Sequence, residues 1–136
     1  MFGFIPGDSI MAKWYTVVES KVSWAPIGSR ILKNGEEKPR FSRIGVRINM
    51  EDGSWWFYSF KHDSWTLHRV PVRKLDRLGR PAVEAGKPVF HPERKERWSN
   101  WAAVVREFGH RSPNIIAALR GAVEAALAEE EAAAES

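Results

Sequence analysis

The chain reads as an α+β fold: a small antiparallel β-meander, curved toward a half-barrel, followed by a C-terminal helical hairpin. Three observations predict it. Ile44, Val46, Ile48 and Met50 alternate with Arg43, Gly45, Arg47 and Asn49, an unbroken period of two that buries one face of a strand. Turn residues separate that run from the aromatic run Ser54 to Phe60 and from a third run, Trp65 to Val70. Near the C-terminus two apolar stripes with helical spacing flank Ser112-Pro113, a helix-start pair.

Taken in order, Met1 to Met11 is a lead-in with a turn at Pro6-Gly7-Asp8-Ser9. Lys13 to Glu19 is rich in aromatic and β-branched residues and reads as a strand. Val22-Ser23-Trp24 adds a second short strand before Pro26, and residues 33–40 form a charged loop around the turn pair Asn34-Gly35. Asp52-Gly53 suits a two-residue type I′ turn, which needs positive φ at both central positions. The register then follows. With Glu51 opposite Ser54, Met50 faces Trp55 and Ile48 faces Phe57 on one side. Arg43, Gly45, Arg47 and Asn49 share the other side with Trp56, Tyr58 and Phe60, joined by Trp65, Leu67 and Arg69 beyond a four-residue loop. Residues 71–92 hold four prolines and two glycines and read as a basic connector. Helix is expected from near Glu93, where Trp98, Trp101, Ala102, Val105 and Phe108 recur at helical spacing up to Gly109. Ile115, Ile116, Leu119, Val123 and Leu127 form the stripe of the last helix, and its Ala/Glu-rich end is expected to fray. The 136 residues make a single domain: sheet over 12–70, connector over 71–92, two helices over 93–130 and a tail over 131–136.

Composition bounds the chemistry. With no cysteine, disulfides, thiol catalysis and cysteine-ligated metal centres are excluded, and a cytoplasmic setting is expected. The start has no basic segment leading an apolar run, so it does not read as a signal peptide. The formal charge of +4 is uneven: residues 1–100 carry 18 Lys/Arg against 11 Asp/Glu, the remainder three against six. A basic sheet suits a phosphate backbone or an acidic protein surface.

Catalytic signatures are missing: no G-x-S-x-G elbow, no phosphate loop, no H-E-x-x-H and no dinucleotide fingerprint. His62, His68, His91 and His110 are scattered rather than spaced as ligands, so neither a metal nor a cofactor is expected. Trp101 to Arg120 resembles the helix-turn-helix family in rhythm alone. Val105 stands where that family prefers a very small residue and His110 where it prefers an apolar one, and Ile116, Ala117 and Ala118 offer little to base edges.

A non-catalytic regulator is therefore expected. It would dock on nucleic-acid machinery, foremost the transcription apparatus and its RNA polymerase, and its size and character suit a phage or plasmid product. Direct DNA or RNA binding by the same face, or by a degenerate helix-turn-helix, is the alternative, and an enzyme with spatially assembled carboxylates comes third. The partner-binding set is Arg43, Arg47, Trp56, Tyr58, Phe60, Trp65 and Arg69, with Arg73, Lys74 and Arg77 of the connector. If the terminal helices seal those rings, the arginines and the connector are what remain.

Overall fold

A computed structural model describes residues 13–135; the expected lead-in turn lies outside them. Among the described residues seven strands and two helices follow in order: β1 (Val17–Ile31), β2 (Glu37–Met50), β3 (Trp55–Ser59), β4 (Trp65–His68), β5 (Val83–Glu84), β6 (Lys87–Pro88), β7 (Lys95–Trp98), α1 (Trp101–Phe108) and α2 (Pro113–Glu135). Five strands form one antiparallel sheet in the order β1-β2-β3-β4-β7, and β5-β6 form a small separate hairpin. This is the α+β sheet with a helical hairpin that the periodicities predict.

Two stretches differ from expectation. The two short strands expected before Pro26 are one long strand, which passes the proline by register shifts at Ser23/Trp24 and Pro26/Gly28. The residues left out of the pairing are Ile44 at the first shift and Ile27 at the second, next to the proline that has no N–H for the ladder. Lys95–Trp98 is a strand rather than the start of a helix, because the open edge of β4 supplies ladder partners from Trp65 to His68. Helix begins only after Asn100, whose Oδ1 accepts the Ala103 N–H at 2.9 Å. Trp98 still reaches the core, from a strand. Gly109 ends α1 in right-handed geometry, and a Cβ there would stand 2.6 Å from the Val105 carbonyl oxygen, so close approach is what the site requires of it.

Both helices lie on one side of the sheet. Ile115, Leu119, Ala122 and Ala126 form the buried stripe of α2, and Val104 and Phe108 that of α1. They meet Val46, Ile48, Met50, Trp56, Trp65 and Leu67 in one core. Beyond Leu119 the stripe passes to alanines, which bring the helix close enough for Ser20 to donate to the Ala122 carbonyl at 2.8 Å. Trp56 is fully buried, stacked on Trp98 at 5.2 Å between ring centres and edge-on to Phe108 at 5.9 Å. Burying rings of this size contributes most of the hydrophobic free energy available to so small a sheet.

The β2–β3 turn decides which rings enter that core. The Met50 N–H donates to the Ser54 carbonyl at 2.9 Å and the Gly53 N–H to the Met50 carbonyl at 3.0 Å. Glu51, Asp52 and Gly53 thus form a three-residue loop. Gly53 has φ 93° while Asp52 does not enter the left-handed region, so the turn is the glycine-bulge kind rather than type I′. Asp52 serves as acceptor instead, its Oδ1 taking the Ser54 N–H at 2.9 Å. The β1–β2 turn repeats this construction: Gly35 has φ 87° and Asn34 Oδ1 accepts the Glu36 N–H at 3.0 Å.

Candidate functional site: the open face of the sheet

Adding one residue to the loop shifts the register by one, and a one-residue shift exchanges faces. Ile48 pairs with Trp56 and Asn49 with Trp55. The expected grouping of Trp56, Tyr58 and Trp65 beside the arginines is therefore corrected. Trp56 and Trp65 are buried beneath the helices, and Tyr58 lies on the same side, half-buried against Trp65 at 4.7 Å. Phe60, in the following turn, packs edge-on to Tyr58 at 5.7 Å.

Residues of the opposite parity compose the side that neither described helix covers, in two rows that cross all five strands. One row is Lys21, Arg47, Phe57, Thr66 and Arg97; its neighbour is Glu19, Asn49, Trp55, His68 and Lys95. Four intervals between strands make each row about 19 Å wide. The two rows hold four Lys/Arg and a single carboxylate, Glu19, which lies 3.6 Å from Lys21. Among the described residues Arg47, Lys95 and Arg97 have no carboxylate within ion-pair distance.

Trp55 organises the second row. Its ring stacks on His68 at 3.6 Å and 1°, and the Arg47 guanidinium lies over the indole at 3.9 Å, with Arg47 Nε donating to Asn49 Oδ1 at 3.0 Å. His68 Nδ1 is bonded to Glu93 at 2.6 Å, and that bond holds the Glu93 carboxyl below its ordinary range. The result is a pre-ordered ladder of guanidinium, indole and imidazole with the outer guanidinium face open. A groove beside it is lined by Gly53, Arg69, Pro71, Phe90 and His91.

Phe57 anchors the first row. Its ring closes over Gly45, where a Cβ would stand 2.7 Å from the ring and 2.0 Å from the Tyr58 carbonyl oxygen. Beside it a depression is lined by Ile27, Ile44, Phe57, Lys61 and His62.

The other expected residues disperse. Arg43 is turned to the helix side by the register shift at Ser23/Trp24 and pairs with Glu130 of α2 at 2.6 Å. Arg69 donates to Glu96 at 2.7 Å. Arg73 lies over Phe90 and donates to the Ala82 carbonyl at 3.0 Å. Lys74 and Arg77 are exposed on the excursion between β4 and β7. Of the expected sheet residues Arg47 stands in the two rows of the open face, and Arg69 borders the groove beside Trp55. Lys21, Trp55, Phe57, His68, Lys95 and Arg97 were missed, and the signal that could have found Trp55, Phe57 and His68 is the alternative three-residue reading of Glu51-Asp52-Gly53.

Among the described residues no group of three His, Asp or Glu side chains gathers as a metal site, and no helix is long and apolar enough to cross a membrane. No family model, no curated protein and no solved structure matches the chain, so the geometry of the face carries the functional reading.

Proposed function

We propose that the chain is a non-catalytic nucleic-acid-binding protein that takes a single strand across the open face. The observation that carries this reading is the pair of rows: four Lys/Arg side chains against one carboxylate, Glu19, with cations at both margins and Trp55 and Phe57 between them. A sheet face of this composition, with no helix over it among the described residues, suits a flexible polyanion, whose phosphates meet Lys21, Arg47, Lys95 and Arg97. Its bases pack on Phe57 and on the outer face of the Arg47 guanidinium.

Fluorescence anisotropy with labelled single-stranded oligonucleotides tests it. Binding is expected at low salt, weakening by about 0.7 log units per log unit of salt for each phosphate held. Changing Arg47, Lys95 and Arg97 together to Ser is expected to lower affinity at least about ten-fold and to flatten that slope by about 2. Wild-type protein that shifts neither DNA nor RNA, or a triple variant that binds unchanged, overturns the reading.

A second reading, docking on a protein of the transcription apparatus such as RNA polymerase, draws on another observation. The helix side of the β1–β2 hairpin leaves Trp24 and Phe41 each 55% exposed and Ile31 77% exposed. Rings of this kind anchor protein interfaces. Capture of a polymerase subunit that resists salt but fails after Trp24→Ser and Phe41→Ser would support it over strand binding.

A further inference from the structure

The β1–β2 hairpin extends beyond the sheet. β3 pairs β2 only from Gly45 to Asn49, whereas β1 follows β2 out to the pair Ile31–Glu37. The outer part is an arm whose side chains are almost all exposed, and a two-stranded ribbon of that kind is marginally stable in water.

Its charges are sorted by side. Cross-strand partners share a face, so Gly28 with Arg40 and Arg30 with Lys38 occupy one side, while Ser29 with Pro39 and Ile31 with Glu37 occupy the other. Glu37 faces away from the cations and is bonded to Ser29. Arg30 and Lys38, directly opposite one another, are a like-charge pair, which opposes ribbon formation. Among the described residues Arg30, Lys38 and Arg40 have no ion-pair partner. The basic side is continuous with the open face of the sheet. Ser42, two residues from Arg40 and of the same parity, lines the depression that holds Phe57 and Ile44, and Ile27 of the arm closes it together with Lys61.

We infer that the arm prolongs the strand-binding track, so that a single-stranded nucleic acid leaving the sheet past Phe57 and Lys61 runs on over Arg40, Lys38 and Arg30. This inference rests on the reading of the sheet face proposed above. Negative phosphates relieve the repulsion between Arg30 and Lys38, neither of which has an ion-pair partner among the described residues. Single strand is favoured over duplex by shape. A two-stranded ribbon twists strongly, and this one has two register shifts, at Ser23/Trp24 and Pro26/Gly28, so its basic side is a curved path. A flexible strand follows such a path; a duplex, stiff over about 150 base pairs, does not.

The test measures anisotropy of oligothymidylates of about 6 and about 16 nucleotides, near the two ends of known single-strand site sizes. The full chain is compared with a variant carrying Arg30→Ser, Lys38→Ser and Arg40→Ser. The wild type is expected to bind the longer oligomer at least ten-fold more tightly. The variant is expected to keep its affinity for the short one and lose most of that gain, with a salt slope on the long oligomer shallower by about 2. Retained affinity for the short oligomer also reports that the variant folds. Normal short-oligomer binding with no gain on lengthening, a gain that survives in the variant, or tighter binding of duplex of equal length overturns this inference alone. Failure of the wild type to bind either oligomer overturns the sheet-face reading and this inference with it.

Discussion

Strand β3 places two aromatic pairs back to back, and they have opposite work. Trp56 and Tyr58 face the helices, where Trp56 is 0% exposed among Trp98, Trp65 and Phe108. Trp55 and Phe57, their immediate neighbours, face away beside Arg47, Thr66 and His68 and stay half-exposed. The four rings are alike in chemistry, and no local preference separates one pair from the other. What separates them is the length of the loop that precedes them. A turn of three residues rather than two assigns one tryptophan to stability and its neighbour to the surface.

Substitution at those neighbours should break the symmetry most visibly. Trp56→Ala removes a fully buried ring and is expected to cost about 3–5 kcal/mol in urea unfolding. Trp55→Ala loses one face-to-face stack and one cation–π contact at a half-exposed site, worth about 1 kcal/mol. It should leave the fold intact while weakening strand binding. Equal losses of stability would mean that the two sides of β3 are not divided as described.

The turn can be interrogated next, with a sign rather than only a size. At φ 93°, Gly53 occupies a conformation that L side chains resist, so Gly53→Ala is expected to cost about 1–2 kcal/mol. Asp52→Gly discriminates further. In a type I′ turn a second glycine would relieve positive φ and help. Here Asp52 holds the Ser54 N–H, so the change loses a hydrogen bond and adds chain entropy, costing about 1 kcal/mol. A stabilised Asp52→Gly variant would restore the two-residue turn and its register.

The same turn marks the limit of what the residues disclose by themselves. The strong periodicity of Ile44 to Met50, the turn pairs and the capped helical hairpin suffice for the α+β class, because each is a local signal repeated over several residues. The site depends on register, which rests on whether one aspartate takes positive φ or accepts a hydrogen bond, and Asp-Gly suits either turn. Arg43 was hidden for a similar reason: a register shift beside Gly45 turns it toward Glu130, and bulges leave little trace in period-two patterns. Lys95 and Arg97 were obscured because Trp98 also fits the helical spacing of Trp101 and Phe108, so the last strand was absorbed into a helix. The arm's sorting of charge is invisible until Arg30 is known to oppose Lys38.

Tyr58 offers the finest test of which side β3 turns inward. Its hydroxyl donates to Asp63 at 2.6 Å, and Asp63 is held there by a turn with φ 54°. That carboxylate, and secondarily burial, push the phenol from its ordinary 10.0 to about 12. Were Tyr58 on the side of Arg47, a neighbouring guanidinium would favour the phenolate and move it the other way, so the direction of the shift is itself diagnostic. Because the folded state holds the proton more tightly than the unfolded chain, the contribution to stability is complete below pH 10 and is lost as pH rises from 10 toward 12. Tyrosinate absorbance, taken as the difference between the wild type and Tyr58→Phe, should show a component ionising near 12. In Asp63→Asn it should move back toward 10, since the amide no longer presents a negative charge to the phenolate. A Tyr58 component at or below its ordinary value in the wild type would place the ring among the arginines and reverse the assignment of both faces.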